Sequence, residues 1–380
     1  MSDPFSFISS FRNNRLSVLI DDAGSSRAAL VAPAHKITET EVNRILRLSG
    51  GLTFVALSPE RASAFLLNTM IRPNAGEKSS LATPLIPQYT SVEAREGIST
   101  GISAADRAAT IAILGSETPQ PRALVRPGHI FPVETREGGV LVNLALPEGA
   151  VDLARLAGFT DAALFVDLLD ARGELMQAEE AREFGKHNSI PTTSLTEIIA
   201  HRLEREPLVT RVAEARLPTT LAGAVRAIVY RSKIHDVEHI ALVKGRVDGD
   251  EPVLVRVQSE NTITDVFGGI TPNSRLHLQN ALRAIGSRER GVFLYLRRSF
   301  IDDRSNNIQP LKATHSAQTV APTMMREYGV GAQILRDLGI SRIELLATTP
   351  RALAGLPSFG IHIVSQHSIP DLTTSREHVV

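Results

Sequence analysis

Short apolar runs alternate with amphipathic helical patterns twice over in this chain, and the alternation restarts at Pro207. That restart limits the possible folds more than any bulk property does. A single hydrophobic core stops growing at roughly 250–300 residues, and this chain has 380. The pattern therefore predicts an α+β protein of two tandem mixed α/β domains, residues 1–206 and 207–380, with a polar, frayed tail after about residue 370.

In the first half, strands are expected at 15–20, 28–32, 52–57 and 162–169, with helices at 39–48, 59–67, 106–114, 147–156, 179–186 and 196–206. Thr38 is a plausible N-cap for the first of these helices, and Gly50-Gly51 its stop. Gly139 to Leu146 reads as a β-like run. In the second half, strands are expected at 209–218, 225–230, 239–245, 252–260, 291–296 and 343–347, the last clear one, with helices at 276–285 and 331–338.

Basic and acidic residues balance at 41 each, so no global field recruits nucleic acid or an anionic membrane, and any anion site must be local. No run approaches the roughly 20 apolar residues of a membrane span, and the N-terminus lacks the basic start and apolar core of a secretory signal. The expected location is the cytoplasm. The chain has no cysteine, which removes disulfides, thiolate nucleophiles and cysteine-held zinc together.

Two glycine-punctuated segments carry the chemistry. Thr100-Gly-Ile-Ser-Ala-Ala-Asp-Arg107 offers Ser103, Asp106 and Arg107 at the start of a helix, where unpaired backbone N–H groups favour anions. Arg126-Pro-Gly-His-Ile-Phe-Pro132 offers His129, and the two read as neighbouring loops converging on one pocket. The same residues also admit a structural reading, since an Asp-Arg pair at a helix start often caps the helix and a turn histidine often satisfies backbone groups. Residues 71–90 carry three prolines and read as a loop, and Gly76-Glu-Lys-Ser79 within it lacks the spacing of a phosphate loop. His235, Glu238 and His239 do not share one face of a strand, so they make a poor metal cluster.

These segments resemble 3,4-dihydroxy-2-butanone 4-phosphate synthase, and the second half, including His239 to Gly245, resembles GTP cyclohydrolase II. The resemblance implies, for the first domain, conversion of ribulose 5-phosphate to dihydroxybutanone phosphate and formate at a magnesium ion held by a glutamate and a histidine. Those ligand positions are Ser26 and Leu146 here, and the family's phosphate-binding arginine is Asn143. Ser103, Asp106, Arg107, His129 and Glu148 are retained, and Asp167 stands where the family has a glutamate.

For the second domain the resemblance implies ring opening of GTP by a zinc-activated water, the zinc being held by three cysteines. Asn261, Pro272 and Ser274 stand at those positions, and Met324 at the general base. Arg256, Ser259, Glu260, Tyr295 and Arg326 remain where the family handles nucleotide and intermediate. The expectation is a catalytically degenerate homologue with no cofactor: no zinc, and magnesium only if the first domain is active. It would act as a regulator or partner in flavin metabolism, form a homodimer, associate with an active bifunctional relative, and bind a sugar phosphate or nucleotide. The competing expectation is an enzyme with residual or altered activity on ribulose 5-phosphate.

Overall fold

The computed structural model describes residues 6–22, 26–70, 88–233, 237–267, 274–297, 329–348 and 361–369. The chain divides into two compact units, residues 1–201 and 202–380.

In the first unit, β1 (Ser17–Ile20), β2 (Ala28–Pro33), β3 (Phe54–Leu57), β4 (Val92–Ala94), β5 (Leu124–Glu134), β6 (Ala162–Asp167) and β7 (Thr192–Ser194) form one mixed sheet in the order β4-β5-β3-β6-β2-β1-β7. The helices are α1 (Ser6–Asn14), α2 (Glu39–Ser49), α3 (Pro59–Ala64), α4 (Ala104–Leu114), α5 (Leu146–Leu156), α6 (Ala178–His187) and α7 (Leu195–Arg205). Strand alternation puts Val18, Ile20, Leu30, Val55 and Leu57 in one core with Val42 and Ile45 of α2 and Ile111 and Leu114 of α4. Leu19 points the other way, towards α5. A β-carbon on Gly149 would lie 3.0 Å from Leu19, so glycine lets that helix lie close on the sheet.

Helix α2 begins where the sequence said it would. The Thr38 side chain accepts from the Glu41 backbone N–H, the Glu41 side chain accepts from the Thr38 backbone N–H, and Gly50 ends the helix at φ +70°.

Two expectations are corrected. Gly139 to Leu146 is not a strand: Gly139–Leu141 is a 3-10 turn and α5 starts at Leu146. Both Gly138 and Gly139 take positive φ, and the buried Asp152 carboxylate accepts from the Val140 N–H, which holds the turn. Arg126 to Pro132 is not a loop but the middle of β5, which pairs in parallel with β3 and antiparallel with β4. Its prolines and glycine disguise an eleven-residue strand.

The second unit holds β8 (Val209–Thr219), β9 (Gly223–Ser232), β10 (Glu238–Lys244), β11 (Val253–Ser259), β12 (Gly291–Leu296), β13 (Arg342–Ala347) and β14 (His362–Ser368), in the order β14-β13-β11-β12-β10-β9-β8. β14 is a strand beyond the last one expected. Helices α8 (Thr262–Phe267) and α9 (Ser274–Gly286) connect β11 to β12, and a further helical run covers 329–337. Ala281, Leu282 and Ile285 of α9 pack on Leu254 and Phe293 of the parallel pair β11–β12.

Candidate functional site

The two signature segments meet through a residue the sequence reading did not single out, Glu93 on β4. Its carboxylate, nine-tenths buried, lies 2.8 Å from Nδ1 of His129, whose side chain is 46% exposed. The other carboxylate oxygen, Oε1, is buried and has no hydrogen-bond partner. A β-carbon on Gly101 would sit 1.9 Å from that oxygen, and Gly101 has φ +80°. Only glycine both adopts this backbone conformation and leaves room for the carboxylate. Nothing but spatial proximity marks Glu93, because β4 is three residues long and carries no pattern of its own.

Asp106 builds the loop above this carboxylate. It accepts from Ser99 Oγ at 2.9 Å, Ser99 N at 3.2 Å and Gly101 N at 2.9 Å. Burial pushes its carboxyl up, but these hydrogen bonds outweigh that and hold it below the usual carboxylate range. Ser103 is the N-cap of α4, accepting from Asp106 N, and Arg107 donates to Ile102 O and Thr53 Oγ1. Both side chains therefore shape the loop. On β5, Arg126 donates to the carbonyls of Phe65 and Leu66, and Gly128 N donates to Ser91 Oγ.

The remaining first-domain candidates have internal partners. Glu148, buried on α5, accepts from Asn143 Nδ2 at 2.7 Å and Arg136 N at 3.1 Å. Burial raises its pKa in spite of those bonds. Asp167 pairs with Arg27 at 2.8 Å. Leu146 is buried, and Ser26 has φ 55°.

In the second domain the polar groups converge on Asp265, also missed in the sequence. Its Oδ1 accepts from Gln258 Nε2 at 3.1 Å and from Ser274 Oγ in a short hydrogen bond. Its Oδ2 accepts from Tyr295 OH at 2.7 Å and Asn261 N at 2.9 Å. Burial and Asp265 together push the Tyr295 phenol up. Arg256 donates to Leu346 O at 3.1 Å, Glu260 accepts from Thr262 Oγ1 at 3.0 Å, and Ser259 closes β11. His239 Nδ1 accepts from Arg297 N. Arg326, Met324, Pro272, His235 and Gly76 to Ser79 lie outside the described residues.

Each unit carries one polar cluster, Glu93, Asp106 and His129 in the first and Asp265 with its donors in the second, and the chain is a tandem pair of mixed α/β domains. The chain belongs to the 3,4-dihydroxy-2-butanone 4-phosphate synthase family, matched over residues 6–201, and to the GTP cyclohydrolase II family, matched over residues 210–368. It is 34% identical to riboflavin biosynthesis protein RibBA of Aquifex aeolicus, over 94% of this chain and 90% of that one. It is 33% identical to the monofunctional riboflavin biosynthesis protein RIBA 2, chloroplastic, of Arabidopsis thaliana, over 97% of this chain and 76% of that one. Among solved structures it superposes on RibBX, a two-domain 3,4-dihydroxy-2-butanone 4-phosphate synthase from A. baumannii, with TM-score 0.76 and 26% identity, covering 96% of this chain and 99% of that one.

Membership corrects one expectation outright. Absence of any cofactor is at odds with two families whose enzymes use metal ions, and the matches carry no sign that a metal has been given up. Enzymes of both families use a metal ion, whereas the residues that the resemblance assigns to the ligand positions of this chain do not fit one. Asn261 and Ser274 offer an amide and a hydroxyl where thiolates would hold zinc, and Leu146 offers hydrocarbon where a histidine would reach magnesium. Among the described residues, no helix is long and apolar enough to cross a membrane.

Proposed function

We propose that the protein works in riboflavin biosynthesis as a divergent tandem homologue: its first domain binds a small sugar phosphate beside Asp106 and His129, and its second domain serves as a regulatory or partner module. The observation that carries this reading is the closure of Asp265. Four donors fill its two oxygens beside Asn261 and Ser274, the positions the resemblance assigns to zinc ligands, so this carboxylate is already committed to holding β11, α8, α9 and β12. Support also comes from RibBX, described as a two-domain protein with one activity, and from the plant relative, which matches 97% of this chain and is named monofunctional. The remaining parts of the proposal are a boundary near residues 206–207, a cytoplasmic homodimer, and association with an active bifunctional relative.

A second reading is favoured by the intact Asp106 loop and the likeness to RibBX: the first domain forms dihydroxybutanone phosphate from ribulose 5-phosphate. One assay separates the two. Purified protein supplied with magnesium and zinc is given ribulose 5-phosphate or GTP, with formate as readout and calorimetry for binding. The first reading expects saturable binding of ribulose 5-phosphate and no formate from either compound. Formate from ribulose 5-phosphate alone establishes the second reading, and formate from GTP overturns both.

A further inference from the structure

We infer that Glu93 is a positioning residue that fixes the tautomer of His129, so that the imidazole presents an unprotonated Nε2 to a hydroxyl of the bound sugar phosphate. The inference rests on the first-domain reading above and adds to it the residue that aims the ligand contact. An ionised carboxylate only accepts hydrogen bonds. At 2.8 Å from Glu93 Oε2, the Nδ1 of a neutral His129 ring therefore carries the proton. The two ring nitrogens lie on opposite sides of the imidazole. With Nδ1 turned to a buried carboxylate and the side chain 46% exposed, Nε2 is the edge left open.

The surroundings hold the carboxylate in place. Gly101 leaves no room for it to move towards the loop, and Gly101 N is itself bonded to Asp106. Gly128 brings β5 against β4 so closely that a β-carbon there would lie 2.2 Å from the Val92 carbonyl group. The sequence separates Glu93, Gly101, Asp106 and His129 over 37 positions, yet the fold makes them one support: Asp106 holds the loop, the loop confines Glu93, and Glu93 orients His129. The other oxygen, Oε1, is buried against Gly101 without a hydrogen-bond partner, so the bond made through Oε2 sets the orientation of the Glu93–His129 pair.

The test reads the tautomer directly, by nitrogen-15 NMR of the histidine rings in the full chain, at a pH where the ring is neutral. His129→Gln assigns the signal. Wild type is expected to show the Nδ1–H form. Glu93→Ala is expected to revert to the Nε2–H form that free imidazole side chains prefer. Glu93→Gln, which keeps the volume and controls for misfolding, is expected to give a mixture, because an amide both donates and accepts. Ribulose 5-phosphate should shift the wild-type Nε2 resonance, and Glu93→Ala should weaken its binding about tenfold, the equivalent of one well-made hydrogen bond. A wild-type Nε2–H ring, or variants with the wild-type tautomer, overturns the inference. Calorimetric binding with an unmoved Nε2 signal also overturns it while leaving the first-domain reading intact. No binding at all contradicts that reading instead.

Discussion

Asp106 and Asp265 do similar local work to opposite effect. Each is a carboxylate in the first turn of a helix that gathers several hydrogen bonds. Around Asp106 the result is a raised loop with Glu93 beneath it, one carboxylate oxygen unpartnered and an imidazole half in solvent. Around Asp265 every bond closes inward: Gln258, Ser274, Tyr295 and Asn261 N occupy both oxygens. A site that spends all its polar capacity internally is a structural joint, whereas one that keeps capacity in reserve is suited to a ligand.

The comparison breaks most visibly at the joint. Asp265→Ala removes the shared acceptor of four donors and should destabilise the second domain by about 3 kcal/mol, read by thermal or denaturant unfolding. A variant as stable as wild type would mean that Asp265 does not join α8 and α9 to the sheet. Next in size is Gly101→Ala. The added methyl meets the Glu93 carboxylate and the backbone is at φ +80°, so a loss of about 1–3 kcal/mol is expected, together with loss of ribulose 5-phosphate binding. Retained binding would show that the Asp106 loop is no part of the ligand site.

A smaller effect tests Glu148. Its folded pKa lies above the ordinary 4.5 because burial disfavours the charged form. A raised carboxyl favours the folded state at pH below the ordinary value and withdraws that stability as pH rises through the folded value. Glu148→Gln removes this slope, so the mutant should gain on wild type as pH goes from mildly acidic to neutral. Parallel unfolding curves across that range would contradict the assignment. The smallest effect is expected from Arg27→Ala, which breaks a partly exposed ion pair with Asp167 and should cost under about 1 kcal/mol.

What the sequence disclosed depended on how local the cause was. The extent of α2 was legible because Thr38 and Glu41 set its start and Gly50 its end within thirteen residues. Buried strands such as β2 and β12 stood out as short, continuous apolar runs. β5 did not, because Arg126 to Pro132 has the composition of a loop and becomes a strand only between β3 and β4. Gly139 to Leu146 misled in the reverse direction, since eight mostly apolar residues fit a strand until two positive-φ glycines and the start of α5 are placed. The site was half legible. Asp106 and His129 lie in recognisable segments, but Glu93 gains meaning only through contact with His129 and Gly101. Asp265 lies four residues past a position whose interest was the cysteine it lacks.

The contrast between the two sites is tested most directly by proton NMR of the full chain with ribulose 5-phosphate and GTP together, magnesium and zinc both supplied. The account predicts broadened ribulose 5-phosphate resonances, an undiminished GTP purine signal and no formate line. Sharp, unperturbed sugar-phosphate resonances beside a decaying GTP signal and a growing formate line would contradict it.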